Sequence, residues 1–400
     1  VANRDIDVIA AGHVCLDIIP GFDHERRYTI EDVFSPGKIV DVRAVAISTG
    51  GPVSNTGIGL VKLGNKVTFI ARIGDDEFGR LTLEGLKQWA DVEGISISEG
   101  EHSSYTVALA PPGIDRIFFH YPGTNHTFSA DDVNPDLCAR ARLFHLGYPP
   151  LMRTLYENDG EQLAEVFRRA KDKGVTTSLD MALPDPRSEA GQLNWQVILK
   201  KLLPYVDIFH PSAEEGLFMA QRDKWEQLRS KGGDLLDHLS GPDYSELSSL
   251  LLSWGSSLVT LKSGHRGFYL RTGDKSAVES IGSASPSDSG TWANRELWSP
   301  AYVVDPIASA TGSGDSSLAG FTTAYLRGET PERCVAAGNA LGYQNLQALD
   351  AVTGIQDWET TEKIMADSTL PRHSIPHSEG WTFDKEPVLG HGPNDQPATE

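Results

Sequence analysis

An α/β fold on a mostly parallel sheet is predicted by three features of this sequence. Short apolar runs alternate with helical patterns along most of the chain, and glycine closes several of those runs. The first third also carries alternating apolar–polar stretches that break this rhythm. The alternation puts helices on both faces of the sheet. The odd stretches suggest a small accessory sheet attached to the main domain. A length of 400 residues fits one α/β domain of this kind, and no internal repeat is evident.

Residues 7–12, apolar and ended by Gly12, read as the first strand. Stretches 27–34 and 39–47 alternate and read as exposed or half-buried strands. Gly50-Gly51-Pro52 precedes a helical pattern with Val53, Leu60, Val61 and Leu63 on related faces, stopped by Gly64. A strand at 67–71 and a helix at 78–90 follow. Residues 105–110 and 116–121 read as a hairpin across Pro111-Pro112-Gly113-Ile114-Asp115. Then strand and helix alternate: strands at 143–146, 175–179, 206–209, 258–261 and 301–304, and helices at 161–173 and 195–203. Two helices, 316–326 and 332–349, close the fold. Segments 222–244 and 272–298 read as insertions, long for loops in a compact domain. Residues 371–400 are polar and read as an irregular surface tail whose His373, His377 and His391 are solvated, not metal ligands.

Composition limits the function. A hydrophobic fraction of 39% and a charged fraction of 22% describe an ordinary globular chain. No apolar run approaches the ~20 residues that span a bilayer. The N-terminus shows no secretory apolar segment, so the cytoplasm is the expected compartment. Cys15, Cys138 and Cys334 are too scattered for a disulfide framework or a zinc cluster. The net charge of -20 argues against nucleic acid and anionic membrane as partners, since both require a basic footprint. A polyanion such as ATP must then be held locally, by backbone amides, helix N-termini and a metal.

Three clusters carry chemistry. Thr311-Gly312-Ser313-Gly314-Asp315 stands between a strand and a helix. Its two glycines let N–H groups converge at a helix N-terminus, an anion site. A carboxylate placed there can take a proton from a hydroxyl while the amides stabilise a transferring phosphoryl group. The competing reading is an Asp that caps its helix. Gly50-Gly51-Pro52-Val53-Ser54-Asn55 allows close approach of a ligand, and Asn55 can both donate to and accept from sugar hydroxyls; a capped turn is the alternative. Asp17, in Gly12-His13-Val14-Cys15-Leu16-Asp17, lies just past the carboxyl end of the first strand, where α/β sheets bind ligands.

In this order the clusters resemble the ribokinase-like (PfkB) carbohydrate kinase family over about residues 5–350. Gly50-Gly51 through Asn55 is similar to its N-terminal signature, Gly74-Asp75-Asp76-Glu77-Phe78-Gly79 to its Gly-Asp-Asp-x-x-Gly stretch, and Gly123-Thr124-Asn125 to the end of its lid hairpin. Thr311–Asp315 with Ala319-Gly320-Phe321 resembles its C-terminal signature, the most specific of these. The resemblance implies a Rossmann-like ribokinase fold over 1–370, with a discontinuous β lid from about 18–48 and 97–125. It implies Asp315 as base and the amides of Gly312, Ser313 and Gly314 as anion hole. Asp17, Gly51, Asn55 and Asn125 would bind substrate. Lys262, Gly264 and Gly267 look like the nucleotide loop, Asn339 matches a position by the adenine, and Asp180 a family Asp at the end of its strand. ATP and Mg2+ are the implied cofactors, with K+ near the anion hole in many members. A homodimer through the lid occurs in some relatives.

Two departures stand out. Ser212-Ala213-Glu214-Glu215 replaces the family's Asn-x-x-Glu, leaving Glu215 as the magnesium-organising residue and Ser212 with a shorter reach. The approach from Asp305 to Thr311 is also long for a ribokinase, which bears on any K+ site. Many relatives that take ribose or phosphosugars carry Lys where this chain has Pro52. That disfavours a phosphorylated substrate, although Arg116 could supply the charge. A monosaccharide or sugar-acid kinase is the leading expectation, a nucleoside kinase the runner-up, and a non-catalytic sugar-binding homologue the third. Neither a Walker A sequence nor a dinucleotide-binding glycine spacing is present.

Overall fold

The computed structural model describes residues 4–114, 116–385 and 388–397. In chain order the strands are β1 (Ile6–Gly12), β2 (Cys15–Gly21), β3 (Arg43–Gly50), β4 (Val67–Gly74), β5 (Asp91–Ser98), β6 (Tyr105–Leu109), β7 (Ile117–Tyr121) and β8 (Ala141–Gly147). They continue as β9 (Thr176–Asp180), β10 (Ile208–Phe209), β11 (Leu258–Lys262), β12 (Phe268–Thr272), β13 (Glu296–Ser299), β14 (Thr382–Lys385) and β15 (Val388–His391). An 11-stranded sheet runs β14-β15-β13-β12-β11-β10-β9-β8-β1-β4-β5, and a 4-stranded sheet runs β3-β2-β6-β7. From β11 to β5 each neighbouring pair is parallel. From β11 outward to β14 each is antiparallel.

Apolar continuity makes β1 a central strand, buried on both faces. Its side chains alternate: Ile9 and Ala11 join a core with Phe144, Phe167 and Phe209, whereas Val8 and Ala10 join one with Phe69, Phe268 and Phe321. Helices therefore cover both faces, as the alternation predicts. The helix Pro52–Lys62 begins behind Gly51, with Pro at the first position, where its missing N–H is no loss. Residues Pro52 through Leu60 are all buried. A side chain on Gly57 would collide with Phe69, and one on Gly59 would press on Ala319. Those glycines let the helix lie close to the sheet and to the helix Ser313–Leu326. That second helix starts at the left-handed Gly312 and packs against Pro331–Asn345.

The small sheet grows out of the carboxyl end of β1. His13 and Val14 alone separate β1 from β2, and β3 runs directly into Gly51. The turn residue Asp115 and the N-terminal residues 1–3 lie outside the described residues.

Several expectations are corrected. Residues 27–34 do not form a strand. Thr29 and Asp32 make a reciprocal capping box around the short helix Ile30–Val33, and that local pairing overrides the alternation. Residues 39–42 are irregular, and the strand starts at Arg43. Residues 97–98 finish β5 of the large sheet, so the small sheet resumes only at Tyr105. The strand expected at 301–304 lies earlier, as β13, and stops before Pro300, which has no N–H to extend a ladder; Tyr302 makes a lone bridge to Arg372. Segments 222–244 and 272–298 are not loops, for they bury Trp225, Leu228, Leu235 and Leu239, and Val278, Ile281 and Trp292. The tail is not irregular throughout: β14 and β15 form a hairpin that extends the large sheet, with Trp381 buried behind it. No helix among the described residues is long and apolar enough to cross a membrane.

Candidate active site

The helix Ser313–Leu326 places Asp315 in its first turn, buried with 2% of its surface exposed. First-turn N–H groups have no partner within their own helix. Gly312, at φ 74, swings the chain into the helix, where a side chain would collide with Ala351. Of the three amides implied as an anion hole, that of Ser313 donates to Ala310 O at 3.2 Å. Asp315 receives Asn55 Nδ2 on Oδ2 at 3.0 Å and Thr56 Oγ1 on Oδ1 at 3.2 Å. Tyr148 completes the set, its hydroxyl 3.0 Å from each oxygen. Burial pushes Asp315 above the usual carboxylate range, and Asn55, Lys262, Tyr148 and Thr56 pull it back. The capping reading of the sequence fails: the carboxylate does not cap its own helix but is held by donors from another helix and another strand end.

Lys262 ends β11 and pairs with Asp180, at the end of β9, and its Nζ is 4.0 Å from Glu215. Burial works to lower Lys262, but Asp180, Glu215 and Asp315 outweigh it and keep the ammonium charged. Burial raises both Asp180 and Glu215. Glu215 and Ser212 form a capping box: Ser212 N donates to Glu215 Oε2 at 2.6 Å, and Glu215 N to Ser212 Oγ at 3.1 Å. The Ser at the family's Asn position therefore still begins the helix Ala213–Ala220. Asp180 Oδ2 is buried without a partner.

A cavity of about 330 Å³ opens beside this group. Lys262, Gly264, Gly267, Ser313, Gly314 and Asn339 all line it, so the four expected nucleotide residues share one chamber with two of the three glycine-loop residues. Asn339 Nδ2 donates to Pro300 O at 3.1 Å and to Ser299 O, fixing the chain where β13 ends. Asp234 and Leu236, from the supposed insertion, and His373, from the supposed tail, also line it.

On the other side of Asp315, Gly51 adopts φ 83, where a side chain would stand 2.6 Å from His13 Nδ1. Asp17 lies against Gly50, and burial pushes it up to about 6 despite hydrogen bonds from Cys15 and Thr106. His13 Nε2 meets His120 Nε2 of β7 at 3.3 Å, and burial holds His13 neutral by lowering it to about 3. Asn125 differs from the other expected substrate residues. Its amide oxygen accepts from Val14 N at 3.2 Å, and its Nδ2 donates to Val14 O at 2.9 Å. Both ends thus clamp the junction between the two sheets. Arg116, from the β6–β7 hairpin, reaches Thr311 Oγ1 and donates to Leu349 O at 3.3 Å, tying the small sheet to the glycine loop.

Tyr148, Thr56, His13 and His120 escape a reading of the sequence. Tyr148 left one signal: Gly147-Tyr148 stands at the carboxyl end of a parallel strand, the same location that singles out Asp17. Among the described residues, no group of three or more His, Cys, Asp or Glu side chains converges as a metal cluster.

The model of the pfkB family carbohydrate kinase matches residues 13–281 and 296–358. An uncharacterized sugar kinase of Archaeoglobus fulgidus is 22% identical over 303 residues, covering 74% of this chain and 98% of that protein. A fructokinase of Solanum tuberosum is 26% identical over 188 residues, covering 46% of this chain and 54% of that protein, about half its length. The solved structure of Arabidopsis thaliana ribokinase complexed with ribose and ATP is 17% identical, with a TM-score of 0.62 over 90% of this chain and 99% of that chain. That likeness shows the fold.

Proposed function

We propose that this chain, which belongs to the pfkB family of carbohydrate kinases and is a sugar kinase, transfers the γ-phosphoryl group of ATP to a hydroxyl of a small monosaccharide or sugar acid. The observation that carries the reading is the position of Asp315. It is a buried carboxylate at a glycine-made helix start, with a chamber lined by Lys262, Gly264, Gly267 and Asn339 on one side and Asn55 on the other. The chamber suits ATP, and the neighbour with this fold that holds ribose and ATP supports that assignment.

In this reading Asp315 takes the proton of the acceptor hydroxyl as its oxygen attacks the γ-phosphorus and ADP leaves. The amides of Gly312 and Gly314 stabilise the charge on the transferring group, and that of Ser313 joins them by giving up its turn bond to Ala310. Asp17 and Asn55 accept and donate to the remaining hydroxyls, and Gly51 lets the sugar approach the backbone. Asn125 acts by positioning Val14.

Glu215 and the unpartnered Asp180 Oδ2 fit Mg2+, which is held by one or two carboxylates together with phosphate oxygens. The ion would supply charge neutralisation on the β- and γ-phosphates. Residues 305–311 fold back onto the helix Pro331–Asn345 and its end, with Ala308 N donating to Leu346 O at 2.9 Å. In this reading, K+ beside the glycine loop would draw ligands from this segment. The small sheet is the lid, and its exposed Val45, Ile47, Phe118 and Phe119 suit a second copy of this chain. Light scattering distinguishes dimer from monomer.

The test is ADP release with ATP and Mg2+ across a panel of sugars, sugar acids, polyols and nucleosides. Activity confined to nucleosides, or absent throughout, overturns the assignment. With the accepted substrate, Asp315→Asn should lower kcat by ~10²–10⁴-fold, the usual contribution of a positioned base, while substrate binding persists by calorimetry.

A further inference from the structure

The hydroxyl of Tyr148 lies 3.0 Å from Asp315 Oδ1 and 3.0 Å from Oδ2. Asn55 and Thr56 approach the same carboxylate from the helix Pro52–Lys62 and take one oxygen each. The edge between the two oxygens, where a single O–H can face both, is therefore taken by the phenol. A sugar hydroxyl about to lose its proton presents the same group, an O–H donor to the same carboxylate, and the two contend for one place.

The backbone keeps the phenol there. Tyr148 follows Gly147 at the end of β8 with φ 63 and ψ 42, a left-handed conformation that a residue with a side chain rarely takes. Its N–H donates to Asp180 O at 3.3 Å, and Pro149 and Pro150 stiffen the next turn. A strained residue held by its surroundings beside a reacting group points to a functional demand at that position. Asp180, Glu215 and Lys262 surround the same carboxylate, and the His13 ring lies 6.3 Å from the phenol ring.

We infer that Tyr148 selects the acceptor: its hydroxyl fills the acceptor place on Asp315 while the site holds no sugar, keeps water out of it, and yields only to a hydroxyl that arrives with further anchors. The inference rests on Asp315 being the base. A water molecule that displaced the phenol would gain one hydrogen bond and lose one, without other contacts to compensate. A sugar brings additional hydroxyls to Asp17 and Asn55, and those contacts offset the cost of moving the side chain. The side reaction prevented is hydrolysis: water oxygen bonds to the γ-phosphorus, the bond from that phosphorus to the β–γ bridging oxygen breaks, the water proton passes to Asp315, and ADP and phosphate leave.

The experiment is ADP release by the full chain with ATP and Mg2+ and no sugar. Tyr148→Phe removes the hydroxyl and leaves room for water, so sugar-free release should rise about tenfold, a part of the ~10²–10⁴-fold that a positioned base provides. Adding Asp315→Asn to Tyr148→Phe should abolish that rise. Tyr148→Met is assayed in parallel, with a thermal melt on each, so that one variant failing to fold leaves the other to decide. Sugar-free release that stays at the wild-type rate in a folded variant overturns the inference, and a raised KM for the sugar alongside it makes Tyr148 a substrate ligand instead. Failure of the underlying reading looks different: Asp315→Asn alone would keep its turnover with sugar.

Discussion

The two sides of Asp315 are made of different material. Towards the chamber, glycine backbone stands beside Asp315 and Lys262, at Gly264, Gly267 and Gly314, joined by Asn339, which acts by holding carbonyl groups, while side chains such as Phe268, Tyr302, Ile307 and Leu346 line the remainder. Towards the small sheet, the walls are side chains: Asn55, Thr56, Tyr148, Asp17, His13 and His120. A surface of amides fits phosphates in any sequence that can bend correctly. A surface of side chains fits one arrangement of hydroxyls. On the proposed assignment, the nucleotide half depends on conformation, and the acceptor half on chemistry. Lys262 is an exception among the groups next to Asp315, a buried charged side chain on the chamber side, paired with Asp180.

That exception offers the severest test. Lys262→Met leaves Asp180 and Glu215 buried without their cation, and breaking a buried pair of this kind costs about 3–5 kcal/mol. Urea unfolding should show a loss of this size. A loss below about 1 kcal/mol would mean the carboxylates are neutral there without help.

Gly312→Ala should be next. Its φ of 74 and its closeness to Ala351 imply strain of about 1–3 kcal/mol. Steady-state kinetics should show kcat and the KM for ATP affected and the KM for sugar little changed. An equal change in both KM values would deny that the sides are separable.

Asp17 probes the acceptor side through pH. Its carboxyl titrates near 6 in the folded chain, because burial disfavours the charge. If Asp17 binds the sugar as proposed, its ionised form accepts the hydroxyls, so the KM for sugar should fall as pH rises through about 6, and Asp17→Asn should flatten that dependence. Stability runs the other way. A raised carboxyl contributes most below its unfolded value near ~4, and that contribution is lost as pH rises to about 6. Melting curves across this window separate the two effects.

Asn339→Ala should be mildest. It gives up two hydrogen bonds to carbonyls, worth about 1 kcal/mol net, and should raise the KM for ATP a few-fold without touching the sugar.

The same division explains what was legible in the sequence. Glycine pairs and a helix start are local, so 311–315 and 50–55 could be read as an anion site and a close-approach turn. The parallel strands were legible because burial on both faces demands continuous apolar runs, as in β1 and β8. Tyr148 was not, because its meaning comes from Asp315, 167 positions away in sequence. Residues 27–34 show the reverse failure, where a pattern of period two gave way to one capping box between Thr29 and Asp32. The segments 222–244 and 272–298 look like loops by composition, yet a few large side chains such as Trp225 and Trp292 suffice to bury them.

The β14–β15 hairpin seals one edge of the large sheet. Arg295, 3% exposed, pairs with Asp395 at 2.8 Å, and Glu296 bonds Asn394. Without these partners, β13 presents an open sheet edge, and among the described residues Arg295 keeps Glu332 as its one ion-pair partner. Contacts this distant in sequence close late. An open edge is also a template for strands of other chains. A chain without residues 382–395 would therefore have Asp315 already surrounded and this edge of the sheet still unsealed.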